Sequence, residues 1–253
     1  MTQHTLQGRT DDEVLWFQRR SFAKAAAAWT AAGGFGAAQA QQRSNIVELQ
    51  GDAQVNGSRV TPQSILQTGD SIETGPGSNL IFVVGNASFQ VRQNSRLRVE
   101  RGATLNAVSV LRLLTGAVAS VWGKGTNRQI VTPTLTAGIR GTGVYTEVRP
   151  QQNFRSYFCN CYGVVDIAAG SDRVVSRADY HQAFWGEAAP VSGRLLTPAG
   201  AINHTDEELE ALARLIDQRT NWQTMGKKGT KDGKGYMDES PNNIHPAMAP
   251  APR

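Results

Sequence analysis

From Asn45 to Ile167 the apolar residues come in short groups separated by glycine-bearing turns. Phe89 and Val91 alternate with Gln90 and Arg92, and Leu97 and Val99 alternate with Arg96, Arg98 and Glu100. Val144, Thr146 and Val148 alternate in the same way with Tyr145, Glu147 and Arg149. Successive side chains on a strand point to opposite faces, so this period of two describes a sheet buried on one side. Asn56-Gly57, Gly69-Asp70 and Gly85-Asn86 read as turns, where glycine admits positive φ and Asn or Asp caps local backbone groups. Strands of about four to seven residues, spaced about 8–12 apart, predict an all-β fold. A compact sandwich or a short β-helix of many short strands fits that spacing. No amphipathic segment of helical length interrupts the strands, which excludes a doubly wound α/β fold, whose helices must cover both sheet faces.

One C-terminal helix is predicted. Thr205 followed three residues later by Glu208 is a capping box, and Asp206 and Glu207 suit the positive end of a helix. Leu209, Leu212, Ala213 and Ile216 then share one face, so the helix should run from Asp206 to about Thr220 and pack on the β-domain. Beyond residue 226 lysines alternate with glycines and aliphatic clusters cease, which reads as a disordered tail.

The first forty residues read as an export address. Arg19-Arg20, Phe22 and Lys24 precede an apolar run rich in alanine, which resembles a twin-arginine signal. Ala38-Gln39-Ala40 is a small-x-small cleavage site, and cleavage after Ala40 is expected. The resulting plan is a signal peptide over 1–40, a β-domain over 41–190, a linker with the amphipathic helix over 191–225, and the tail over 226–253. The expected location is the periplasm or the medium, with no stable transmembrane anchor after cleavage.

Composition changes this picture little. The formal charge of +5 over 253 residues is mild and scattered, so nucleic acid is not an expected partner. Two cysteines do not make a disulfide scaffold. Cys159 and Cys161 would share a face of a regular strand, with Cα atoms about 6.5 Å apart, and bridging them would need a bulge or turn such as Gly163 permits. A disulfide between them, free buried thiols, an intermolecular bridge and a metal site stay open. The spacing of His181 and His204 suggests no metal site, so neither a metal nor any cofactor is expected. Gly123-Lys124-Gly125-Thr126 lacks the earlier glycine and the following helix of a phosphate loop. No nucleophile elbow or zinc-protease motif is present, and no catalytic residues are assigned.

Several segments, in order, resemble the FecR domain family. They are Leu49–Val55, Leu66–Gly75, Gly77-Ser78 with Leu80–Val84, Asn94–Leu97, Leu113–Val118, and Val131–Thr134 leading to Gly138–Tyr145. The resemblance covers about residues 45–170. It implies a FecR-like β fold and a role in binding or scaffolding, with envelope sensing or signalling as its setting, without catalysis. The family's named member is a membrane-spanning regulator of iron-citrate uptake with a cytoplasmic segment that binds a sigma factor. Here only eighteen residues precede the arginine pair, so the transmembrane anti-sigma plan is not expected. Within the matched segments Gly69, Asp70, Gly138, Gly141, Thr142 and Gly143 read as structural turn or bend positions. Arg140 should pair with a carboxylate such as Asp70 or Glu147; alternatively Arg140, Tyr145 and Trp185 contact a ligand or partner. That partner would be a protein or a cell-envelope polysaccharide. A secreted carbohydrate- or wall-active enzyme, and a periplasmic partner of a membrane signalling protein, are the alternative readings.

Overall fold

The computed structural model describes residues 44–104, 107–125 and 128–226. The export motif at Arg19, Arg20, Phe22 and Lys24, the cleavage site at Ala38 and Ala40, and the tail beyond Gly226 lie outside the described residues. Fourteen strands form one sheet. They are Ile46–Gln50 (β1), Ala53–Val55 (β2), Ser58–Arg59 (β3), Ser71–Thr74 (β4), Asn79–Val84 (β5), Ala87–Val91 (β6), Arg96–Arg101 (β7), Val108–Trp122 (β8), Arg128–Val131 (β9), Thr136–Arg149 (β10), Arg155–Ala169 (β11), Asp172–Ala178 (β12), Gln182–Val191 (β13) and Arg194–Ala199 (β14). Two helices follow, Asp206–Arg214 (α1) and Asn221–Met225 (α2). The sheet is mixed, because β8 and β9 pair in parallel while the other pairings are antiparallel, and its strand path ends at β14 and β3 without closing.

Three strands are far longer than the four to seven residues expected. β8 and β11 have 15 residues and β10 has 14. Each contains a glycine at positive φ: Gly116 (+77°), Gly141 (+66°) and Gly163 (+98°). These glycines bend a strand instead of ending it. Each long strand changes partner at its glycine. β8 pairs with β7 before Gly116 and with β6 after it. β10 pairs with β9 before Gly141 and with β8 after it. β11 pairs with β13 before Gly163 and with β12 from there on. Strands that switch partners at a bend or bulge turn the corners of folded-over sheets.

The expectation of a sheet buried on one side needs correcting for its centre. On β5, β8, β10, β11 and β13 alternate residues enter two separate cores. Phe82, Val118, Trp122, Val144, Phe158 and Phe184 belong to the inner core, which Phe89 of β6 also joins. Ile81, Ala119, Val121, Tyr145, Tyr157, Cys159, Cys161, Ala183 and Trp185 point the other way. That outer face is covered by the C-terminal strap, which contributes Ile202, Leu209, Leu212, Ala213 and Trp222 to the same cluster.

The strap begins as sheet, where a linker was expected, because β14 pairs with β13. Tyr157 then secures the turn after it: its hydroxyl donates to Gly200 O at 2.8 Å and accepts from Ile202 N at 3.1 Å. Helix α1 has its capping box, with Thr205 and Glu208 each holding the other's backbone N–H. It stops at Arg214, short of the Thr220 end expected from periodicity, and Asp217 turns the chain at φ +54°. Thr220 and Gln223 form a second capping box, which starts α2 and aims Trp222 into the outer core. None of the helices among the described residues is long and apolar enough to cross a membrane.

Candidate metal centre

The outer face carries a compact group of side chains with metal-binding chemistry. Cys159 and Cys161 sit at i and i+2 on β11 and so project to the same side. The bend at Gly163 ends the β11–β13 pairing near Asn160 and starts the β11–β12 pairing at Gly163. The chain linking β12 to β13 must cross that gap, and His181 lies on it. Its backbone N–H donates to Cys161 O at 3.0 Å, and its φ of +23° turns the imidazole inward. His204 arrives from the strap, one residue after Asn203 at φ +57° and one before the helix cap.

The four donor atoms, Cys159 Sγ, Cys161 Sγ, His181 Nδ1 and His204 Nε2, all lie within 4.8 Å of one another and are buried. The sulfurs are 3.9 Å apart, Cys159 Sγ is 3.5 Å from His181 Nδ1, and Cys161 Sγ is 3.4 Å from His204 Nε2. The two ring nitrogens approach to 3.0 Å. A disulfide would need sulfurs about 2.05 Å apart, so the two cysteines are free thiols here.

The outward nitrogens of both rings are engaged as well. His204 Nδ1 lies 2.6 Å from Ile202 O, and His181 Nε2 lies 2.9 Å from Asp206 Oδ1. Asp206 is the first residue of α1, fully buried, and also accepts from Tyr180 Oη at 3.1 Å. Aromatic rings wall the group. Tyr145 stacks on His204 at 4.7 Å between centroids, and Trp222 stacks on His181 at 5.5 Å. Beside it Arg92 and Glu208 form a buried ion pair at 2.7 Å.

The electrostatics are polarised. Burial pulls the His181 imidazolium down, yet its bond to Asp206 and the neighbouring Cys159 outweigh that and raise its pKa to about 9. Burial pushes the Cys159 thiol up, but Cys161 and the two histidines hold it well below the ordinary thiol value. Cys161 is pushed well above it, by burial first and then by Cys159.

The residues singled out from sequence are scattered. Arg140 pairs with Asp166 across β10–β11 at 2.6 Å, on the surface, and not with Asp70 or Glu147. Asp70 is engaged instead by Asn56 and the Gln67 backbone, and Glu147 by Arg149. The cause is register: Arg140 precedes the β10 bulge and faces away from both. Tyr145 is buried beside the Cys/His group, and Trp185 lies between Arg149 and Arg155 with 8% of its surface exposed. Gly69 has φ +105°, and at Gly143 the backbone approaches Tyr162 so closely that an added Cβ would lie 2.3 Å from its ring. Thr142 is fully buried in the β10 bulge between Gly141 and Gly143, and Gly138 opposes Asp166. His181 and His204 were set aside on spacing. The signal that could have found them is their burial beside a capping box and a strand cysteine pair, which needs the fold.

No family model matches the chain, and no curated protein matches it. Two crystal structures of a candidate anti-sigma factor from Parabacteroides distasonis are similar to parts of it. One has a TM-score of 0.39 at 10% identity, covering 48% of this chain and 55% of that one. The other has a TM-score of 0.41 at 9% identity, covering 57% and 64%. The chain thus spans less than two thirds of either protein, and likeness at this level defines no activity. The FecR resemblance rests on the ordered sequence segments alone.

Proposed function

We propose that this chain is an exported FecR-like module of the bacterial envelope that binds a protein or a cell-envelope polysaccharide and performs no catalysis. The observation that carries this reading is the placement of the FecR-like segments. In order they supply β1–β2, β4, β5, the start of β7, the middle of β8 and the bend of β10, so the motif residues serve corners and cores of one sheet. The enzyme alternative has one arrangement in its favour. Cys159, His181 and Asp206 stand in the thiol–imidazole–carboxylate order of an activated nucleophile. Against it, Cys159 and Cys161 are fully buried under the strap, where a substrate has no approach.

The test is made in intact cells. A photo-crosslinking residue placed at Phe154 or Val175, both exposed apolar positions, should join the protein to an envelope protein or to wall polysaccharide. Fractionation should find the protein outside the cytoplasm with Gln41 as its first residue. Arg19→Lys with Arg20→Lys should leave the precursor inside. An unprocessed cytoplasmic protein in the wild-type cell would refute export. Turnover of a wall or carbohydrate substrate by the purified protein would refute the absence of catalysis.

A further inference from the structure

The Cys/His group is unexplained by binding through the outer surface, and its geometry has a more specific content. We propose that Cys159, Cys161, His181 and His204 hold a divalent cation of the zinc class in a closed, four-coordinate site that ties the strap to the sheet. This inference stands whether or not the export reading holds.

Three observations carry it. The first is size. A tetrahedral centre with metal–sulfur bonds of about 2.3 Å and metal–nitrogen bonds of about 2.0 Å has edges of about 3.8 Å (S to S), 3.5 Å (S to N) and 3.3 Å (N to N). The corresponding distances here are 3.9 Å, 3.4 to 3.5 Å and 3.0 Å, with the remaining pairs inside 4.8 Å. Shifts of a few tenths of an ångström complete the tetrahedron.

The second is the tautomers. A backbone carbonyl only accepts, so the proton of neutral His204 sits on Nδ1, towards Ile202 O. The Asp206 carboxylate likewise draws the His181 proton to Nε2. With their outer N–H groups so engaged, the rings turn His181 Nδ1 and His204 Nε2 towards each other and towards the two sulfurs. Protons shared among these four atoms join them only in pairs, whereas a central cation binds all four.

The third is the outer partners. Metal-binding histidines characteristically donate their second ring N–H to a carboxylate or a backbone carbonyl, which fixes the ring and raises its basicity. Here there is one of each. Two thiolates and a divalent cation sum to zero charge, which suits a site buried from water. Two thiolates and two imidazoles favour zinc over magnesium or calcium, which prefer oxygen ligands. With four protein ligands there is no open position, so the ion is structural.

Binding forms two metal–sulfur and two metal–nitrogen bonds, the ion sheds its bound waters, and the protons held among the two sulfurs and His181 Nδ1 pass to solvent. No oxidant or reductant is needed. The elements it joins are β11 through both cysteines, the β12–β13 connection through His181, and the strap through His204.

The full chain, purified without a histidine tag under reducing conditions and stripped with a chelator, is titrated with cobalt(II). The expected result is one cobalt per chain, with intense tetrahedral d–d bands and thiolate-to-metal charge transfer, displaced by equimolar zinc. Zinc should also raise the melting temperature of the stripped protein, and both thiols should resist alkylation until it is removed. Cys161→Ser should abolish its share of the charge-transfer band. Asp206→Asn should weaken zinc binding by about 10–100-fold while the tetrahedral spectrum persists at saturation. Pale octahedral cobalt without thiolate bands, copper(I) binding with zinc refused, or a native protein two daltons light and restored by reductant would each overturn the proposal. Because the spectrum is read on the unaltered chain, a variant that does not fold leaves the test intact.

Discussion

Gly163 shows how much one residue decides. At φ +98° it takes a backbone conformation that L side chains avoid, and an added Cβ would lie 2.9 Å from Thr142 Cβ and 3.0 Å from Gly141 O. The bend it permits exchanges β13 for β12 along β11 and so sets His181 opposite Cys161. Gly163→Ala should therefore cost about 2–4 kcal/mol, the sum of backbone strain and overpacking. Urea unfolding would measure it, and a loss under about 0.5 kcal/mol, the range of ordinary surface changes, would contradict the role given to the bend. From sequence Gly163 reads as a position that permits a bulge or turn beside Cys161. Whether a glycine ends a strand or bends it depends on which neighbours wait on either side, and those come from distant parts of the chain.

Helix α1 performs two tasks with one side chain. Glu208 closes the capping box by accepting from Thr205 N, and it neutralises buried Arg92 at 2.7 Å. The two tasks separate by mutation. Thr205→Ala removes a cap and should cost about 1 kcal/mol. Glu208→Gln keeps a capping residue but strands a buried guanidinium, so it should cost about 3–5 kcal/mol. Equal losses in denaturant titrations would show that capping, not the ion pair, dominates. The capping box was legible because it is local: four consecutive residues contain all of it. Arg92 was not, since it lies 116 positions from Glu208. The helix length was overestimated for a related reason. Apolar period continues through Ile216, but Thr220 and Gln223 start a new cap that competes with continuation. The β13–β14 hairpin depends on a carboxylate in the same way, because Asp172 accepts from the backbone N–H of Leu195 and Leu196 and is held below its ordinary pKa. A lowered folded pKa stabilises above the unfolded value and loses that contribution as pH falls through the folded one. Asp172→Asn should then lower stability above the unfolded pKa of the carboxylate and converge on the unaltered protein at acid pH, as melting across pH would show.

The whole molecule is a folded-over sheet whose second face needs a lid from its own C-terminal strap. Tyr145, Tyr157, Ala183 and Trp185 would meet water without Ile202, Leu209, Leu212 and Trp222. A chain ending at Gly200 should therefore expose a broad apolar surface, bind a hydrophobic dye and associate on size exclusion. A monomer with unaltered melting would refute the lid. The sequence by itself determined the strand-rich class, the turns, the start of α1 and its apolar face, because each depends on residues within about ten positions of one another. Only the tertiary structure decided that the centre of the sheet is buried twice, that Arg140 meets Asp166, and that four residues spread from Cys159 to His204 converge around one point. The physical reason is the same in each case. Periodicity reports which face of its own strand or helix a side chain occupies, whereas partner choice at the three bent strands sets what that face meets.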